Sequence, residues 1–439
     1  MTVNGELSTE DLLDDISHAM STNANRQSYT WSTLSTYEWD GDTYQLVSYW
    51  DVNESGIIGI RVNGGSWTYH RLDGTGSSTD IRKLEDDNHN TIQVMLDRDG
   101  YIHMVYNLHS DPLQYRISTN TVDSFNGAFG ADRDMLGVED VQVTYPCFFR
   151  RPDNEQLMIA IRSGIAGDGA LLILEYEEDG QTWSGVAGTT NGLVIDSRDT
   201  APSYSPYWYG PPKFTDDWDG AGTGKMYVAW TWRKSIASTD NWRPTAIYWD
   251  GTSWLEMDGT SQTIPVTYLN SSPIQDIGFI RISAFSGSYV DSSGRLHVAY
   301  TREDDDDERQ IYHGVYDSGW TVNKITNLTG AIFSPVVLLI DGQDAVHILY
   351  HLIGDDLAEL HVISAESPWT SWEISTLVSG ISPDYEISNG ICQADQELFR
   401  TTGVFQAYIE TRGSVTLADT SGLQSGIGFM AIGTTFEVA

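Results

Sequence analysis

Lysine is almost missing from this chain. Five lysines (Lys83, Lys213, Lys225, Lys234 and Lys324) stand beside nineteen arginines, and together they face 62 carboxylates, for a formal net charge of −38 over 439 residues. A surface that negative repels phosphate backbones and excludes nucleic acid as a partner. It also repels anionic glycans at low salt, but molar salt screens charge within about 3 Å and removes that objection. Abundant carboxylate with scarce lysine reads as adaptation to high salt, where hydrated acidic groups keep a protein soluble. Cysteine is nearly absent too. Cys147 and Cys392 lie far apart in apolar contexts and read as buried free thiols. No CxxC or Cys/His spacing points to zinc. No apolar run is long enough to cross a membrane. The opening MTVNGELSTEDLLDD lacks the basic start and apolar core of a secretory signal. Either a signal has been removed from this chain, or the protein reaches an extracellular-facing setting by another route, such as on a virus particle.

What the chain has is a core and a repeat. Its 40% hydrophobic content argues against global disorder. DRDGYIHMVY (97–106) returns as DSSGRLHVAY (291–300). Looser copies are GDTYQLVSY (41–49), DNEQLMIAI (153–161), GTGKMYVAW (222–230), DGQDAVHILY (341–350) and TGVFQAYI (402–409). Aligned on Leu46, His103, Met158, Tyr227, His297, His347 and Gln406, the copies are spaced by 57, 55, 69, 70, 50 and 59 residues. Most are followed by a polar turn ending in Trp: NGGSW (63–67), DGQTW (179–183), DGTSW (250–254) and DSGW (317–320). A turn-plus-strand unit at this period predicts an all-β, seven-bladed β-propeller, because radial packing covers sheet faces that no single blade can bury. The tryptophans are expected to pack between blades rather than to bind sugar.

The ends differ from the repeat. Ser8 with Asp11 forms a capping box ahead of Leu12, Leu13, Ile16 and Met20, which predicts a short amphipathic helix over 8–21. Residues 1–27 are therefore expected to form a helix and docking arm, and 28–439 a single propeller whose last blade 413–439 completes. A helix that short needs something to dock on. DDDDE (304–308) reads as a solvated loop, and DDWDGAG (216–222) as a weak candidate for structural calcium.

Four side chains carry the chemical argument. His89 opens one apolar run and His109 closes the next, while Tyr145 and Arg162 occupy the ends of a following strand pair. His103, His297 and His347 share a repeat position and read as structural. His89 and His109 fall outside it. β-Elimination of a uronate glycan needs a cation on the carboxylate, a base for the neighbouring C–H, and an acid for the departing oxygen. Arg162 suits the first role by its bidentate fork. His89, His109 or Tyr145 could serve as base, and Tyr145 or the other histidine as acid. The scheme requires no cofactor and no metal. Tyr145 taken alone would be a packing residue, and Arg162 needs a partner that is either substrate or an acidic side chain.

The stretch from about residue 40 to 240 resembles the ulvan lyases built as seven-bladed propellers, and the wider bacterial neuraminidase repeat families around them. The resemblance rests on His89-Asn90, on DxDGYIH (Asp97 to His103) and on HxxPLxY (His109 to Tyr115). It continues in TYPxFxR (Tyr145, Arg150), RSGIAGDG (162–169) and YVAWTWR (227–233). It implies that His89, His109, Tyr145 and Arg162 form the catalytic set, with Asn90, Tyr115, Arg150 and Arg233 contacting substrate. It implies an acidic polysaccharide or cell-surface glycan as partner.

The rival expectation is a non-catalytic structural or receptor-binding protein on the particle of a halophilic virus. It would bind host glycans and dock a virion or homo-oligomer partner through residues 1–25. A sialidase-like hydrolase ranks below both, because no arginine triad with its accompanying acid and Tyr/Glu pair stands out.

Overall fold

The seven repeat anchors fall one per sheet, on the second strand of seven successive sheets among the described residues. The computed structural model describes residues 8–11, 34–381, 392–395, 405–409 and 430–434. Within 34–381 it leaves out 52–53, 75–79, 85–88, 136–141, 201–202, 220–222, 236–240, 279–281, 283–286, 305, 307, 330 and 354–357.

Sheet I comprises Leu34–Trp39, Asp42–Trp50, Gly56–Val62 and Thr68–Arg71. Sheet II comprises Ile92–Leu96, Tyr101–Tyr106 and Tyr115–Thr121. Sheet III runs outward through Val143–Arg150, Leu157–Ile165, Asp168–Glu177 and Thr182–Gly185, and carries the short strand His109–Asp111 on its inner edge. Sheet IV is Ser205–Trp208, Met226–Arg233, Asn241–Trp249 and Trp254–Glu256. Sheet V is Gly287–Val290, Leu296–Glu303, Arg309–Tyr316 and Trp320–Lys324. Sheet VI spans Ala331–Ile340 to Glu373–Ile381. Sheet VII is Cys392–Ala394, Phe405–Ile409, Met430–Thr434 and, on its outer edge, Ser8–Asp11. Each sheet touches the next. The last meets the first where Thr36 Oγ1 and Gln45 Nε2 donate to the buried Asp395 carboxylate at 2.5 and 3.3 Å. The protein is a β-propeller.

One expectation fails at the N-terminus. Ser8–Asp11 is a strand antiparallel to Met430–Thr434, not the first turn of a helix. An isolated turn makes few hydrogen bonds, whereas an open sheet edge offers a full row of them. Residues 12–27, the rest of that expected helix and arm, lie outside the described residues, as do 413–429.

The repeat has a physical logic. In DRDGYIH, Asp97 accepts the Tyr101 amide at 2.8 Å, and His103 Nε2 donates to the same carboxylate at 3.0 Å. Asp291 does this for the Arg295 amide and His297, and Asp341 for the Ala345 amide and His347. The carboxylate thus closes the turn and fixes a histidine on the second strand. The turn-end tryptophans then cross to the neighbouring sheet. Trp183 of sheet III packs edge-on to His103 of sheet II, Trp254 of sheet IV donates to the Ala187 carbonyl, and Trp369 meets His297 at 4.5 Å. Apolar clusters accordingly span neighbouring sheets, with Trp50, Trp208, Trp230 and Trp232 fully buried. Each such ring contributes roughly 3 kcal/mol by removing apolar area from water.

Candidate functional site

His109 does not stay on the sheet that precedes it. After Tyr106 the chain crosses to sheet III, where His109 pairs with Thr144, and Thr144 pairs on its other side with Arg162. Residues paired across an antiparallel ladder point to the same face, so His109 and Arg162 flank Thr144 on one face of sheet III. Ser110, with φ +63°, donates its amide to Thr144 Oγ1 at 2.8 Å and fixes this crossing.

Tyr145 is aimed by a bulge. The ladder to Leu157–Ile165 slips between Thr144 and Cys147, and Tyr145 adopts φ +53°. A left-handed tyrosine costs about 1–3 kcal/mol and persists only where surrounding structure enforces it. Gln93 Nε2 of sheet II donates to the Pro146 carbonyl and holds the bulge. His89 arrives from the loop before sheet II, anchored by the Thr91 amide on its carbonyl at 2.9 Å and by Trp50 Nε1 on the Asn90 carbonyl at 2.7 Å.

These elements bring together all four residues proposed from sequence as the catalytic set. The rings of His89 and His109 stack at 3.9 Å with 16° between planes. Tyr145 lies 6.0 Å from His89, and the Arg162 guanidinium lies 4.6 Å from the Tyr145 ring centre. Both histidines are half-buried, Tyr145 is 5% exposed and Arg162 is fully buried. Arg162 makes no ion pair among the described residues. Its partner is a residue the sequence reading missed. Arg162 Nη1 donates to Tyr207 Oη at 2.6 Å, and Arg233 Nη1 donates to the same oxygen at 2.8 Å. Tyr207 therefore ties the guanidinium groups of sheets III and IV into one cationic pair. Its signal was SPYWYG on the innermost strand of sheet IV, the strand that corresponds to the one bearing Tyr145.

The four residues expected to contact substrate divide. Arg233 belongs to the group through Tyr207. Asn90 adjoins His89 and is buried, 3% exposed. Tyr115 and Arg150 are not brought to it. Tyr115 is buried against Trp183 and donates its hydroxyl to His103 Nδ1 at 2.7 Å, so it serves the structural clamp of sheet II. Arg150 ends the strand that Val143 begins, about 20 Å along from Thr144 at 3.3 Å per residue. It lies over the Tyr37 ring and pairs with Glu155 at 3.3 Å. Among the described residues, no cluster of three or more His, Cys, Asp or Glu side chains is placed to hold a metal. The calcium candidate at 216–222 is described only to Asp219.

A family model for BNR repeat-containing members matches residues 44–328. No curated protein sequence matches the chain. Among solved structures, the polysaccharide lyase Uly1 is 14% identical with a TM-score of 0.65, over 98% of this chain and 99% of that one. A PL25 ulvan lyase bound to -[GlcA(1-4)Rha3S]- is 13% identical with a TM-score of 0.63, over 92% of this chain and 96% of that one. At such identity the likeness is one of fold, and it extends along nearly the whole chain.

Proposed function

The chain belongs to the BNR repeat-containing family, and from that premise we propose that it is a polysaccharide lyase acting by β-elimination on a uronate-bearing glycan. The observation behind the reading is convergence. Two stacked imidazoles, a phenol and a buried guanidinium come from four separate segments and meet at one end of sheets II and III. One imidazole takes the proton from the carbon beside the carboxylate. The electron pair left behind forms the C4–C5 double bond, the C4–O bond breaks, and Tyr145 returns a proton to the departing oxygen. The positive pair of Arg162 and Arg233 sits where negative charge grows. Arg162 is buried beneath Tyr145 and Tyr207, so it acts through its field at short range. At 5 Å and an effective dielectric of 20, that field is worth about 3 kcal/mol, or about two orders of magnitude in rate.

A second reading keeps the glycan and drops the chemistry, giving a receptor-recognition protein of a halophilic virus particle. The charge balance, 62 acidic against 24 basic residues, is the observation that favours a high-salt setting. The test is ultraviolet absorbance from unsaturated uronate ends when the protein meets a panel of uronate polysaccharides in molar salt. A signal that His109→Ala abolishes supports the lyase. Silence across the panel with measurable glycan binding supports the second reading.

A further inference from the structure

Beyond Arg233, other arginines at the same end of the sheets sit on tyrosine rings. Arg243, the third residue of its strand in sheet IV, lies 4.6 Å from the Tyr268 ring centre. Arg302, next to last in the second strand of sheet V, lies 4.1 Å from the Tyr312 ring centre. One connecting segment joins them. Arg243 donates to the Ser271 carbonyl, and Arg302 Nη1 donates to Gln275 Oε1 at 3.0 Å, four residues further on. Four extended residues span about 13 Å, so the two guanidinium groups lie on one short stretch of surface beyond Arg233.

In a chain so rich in carboxylate, many arginines are clamped by acids, among them Arg71 by Asp51, Arg116 by Asp132, Arg151 by Glu175, Arg198 by Asp196 and Arg295 by Asp291. Like Arg162, Arg243 and Arg302 make no ion pair with an acid among the described residues, and the Nε of each is buried without a hydrogen-bond partner there. Glu256 feels Arg243 only weakly, and burial pushes its carboxyl up to about 7. Arg243 also holds φ +53° beside a slip in the ladder after Thr231. Half-buried, ring-backed and without an ion pair among the described residues, both guanidinium groups keep terminal N–H donors beyond those given to Ser271, Gln275 and the Tyr312 hydroxyl, and these can serve an outside anion.

We infer that an acidic glycan chain lies along a track of arginine–tyrosine pairs, running from the candidate site across sheets IV and V, with Arg243 and Arg302 binding its outlying anionic groups. The inference deepens the proposed function and rests on its choice of an acidic glycan. It predicts affinity that grows with chain length.

The experiment measures binding of glucuronate-containing fragments of graded length, from ulvan and hyaluronan, by calorimetry at one salt concentration where every variant melts cooperatively. Arg243→Gln and Arg302→Gln should each weaken binding of the long fragments about ten-fold, the loss of one charge-assisted contact. The shortest bound fragment should keep wild-type affinity. Arg61→Gln, at the other end of the sheets over Trp67, removes the same charge and should change nothing. If Arg243→Gln does not fold, Arg302→Gln carries the test. Wild-type affinity for long fragments in both variants, equal losses for short and long, or no binding by the wild type would each overturn the track. Length-dependent binding without cleavage would keep the track and remove the elimination reading. Cleavage without length dependence would do the reverse.

Discussion

Gly169 faces the strand that carries Arg162, paired with Gly164 across the hairpin. It needs no left-handed backbone, being absent from the positive-φ glycines, so alanine suits its conformation. Space is the obstacle. A β-carbon there would lie 2.7 Å from Ser205 Oγ, 3.0 Å from Arg162 Cδ and 3.1 Å from Arg162 Cγ. Ordinary carbon contacts are about 3.5–4.0 Å, so Arg162 must retreat by roughly 0.5–1 Å. The arginine chain is the compliant partner, and its retreat loosens the 2.6 Å bond to Tyr207. Overpacking of this kind costs about 1–3 kcal/mol of stability. A misplacement near 1 Å can cost up to about 100-fold in rate. The expected outcome for Gly169→Ala is a folded protein with a modestly lower Tm and kcat/KM down by about 10- to 100-fold. Gly130→Ala is the control, since its β-carbon would meet nothing nearer than the Ile117 carbonyl at 3.5 Å. Assays on a cleaved uronate polymer, with melting curves beside them, decide the matter. Full activity in Gly169→Ala with a lowered Tm would show that elimination does not depend on where Arg162 sits.

Further outcomes follow from the same geometry. His109→Ala and Tyr145→Phe should each abolish turnover in kinetic assays while melting near the wild-type temperature, and comparable rates in all three proteins would sink the assignment. Asp291→Asn should do the opposite, because it weakens the clamp on Arg295 (2.6 Å) and His297 (3.2 Å) at the far end of sheet V. A loss of about 2–3 kcal/mol with unchanged activity per folded molecule is expected from chemical denaturation and assay. Stability should decline in acid. Burial holds His103, His297 and His313 below the usual imidazole range, His313 further lowered by His297. Below about pH 6.5 the unfolded chain therefore takes protons that the folded one refuses. Burial works to raise Asp291 and Asp341, but their hydrogen bonds outweigh it and hold both low, which adds a second loss below about pH 4. Tm measured against pH at fixed salt should fall from 6.5 downward, less steeply between 6.5 and 5 in His313→Gln, and a flat profile would contradict the linkage.

The repeat was legible because the Asp–His clamp requires the same spacing each time it is built. That is why His103, His297 and His347 could be set aside as structural and why His89 and His109 stood out. Tyr145 and Arg162 were visible as polar groups ending apolar strands. Less was visible where a role depends on a partner from another segment. Tyr207 looks like one aromatic among many until Arg162 and Arg233 both meet its oxygen. Gly169 matters for an atom it lacks. Tyr115 and Arg150 stand in motifs next to true neighbours of the site, yet strand alternation and the length of one strand carry them away. Ser8–Asp11 has the local signature of a helix start, and a sheet edge more than four hundred residues later in the chain overrode it.

The central claim is that the glycosidic bond is broken by elimination. The most direct measurement is the mass of the fragments released from a uronate polymer in molar salt. Elimination adds no water, so the new non-reducing ends should carry an unsaturated uronate one water lighter than a hydrolysed end, and His109→Ala should release none. Fragments that have gained water would make the protein a hydrolase and contradict the roles given to His89, His109, Tyr145 and Arg162.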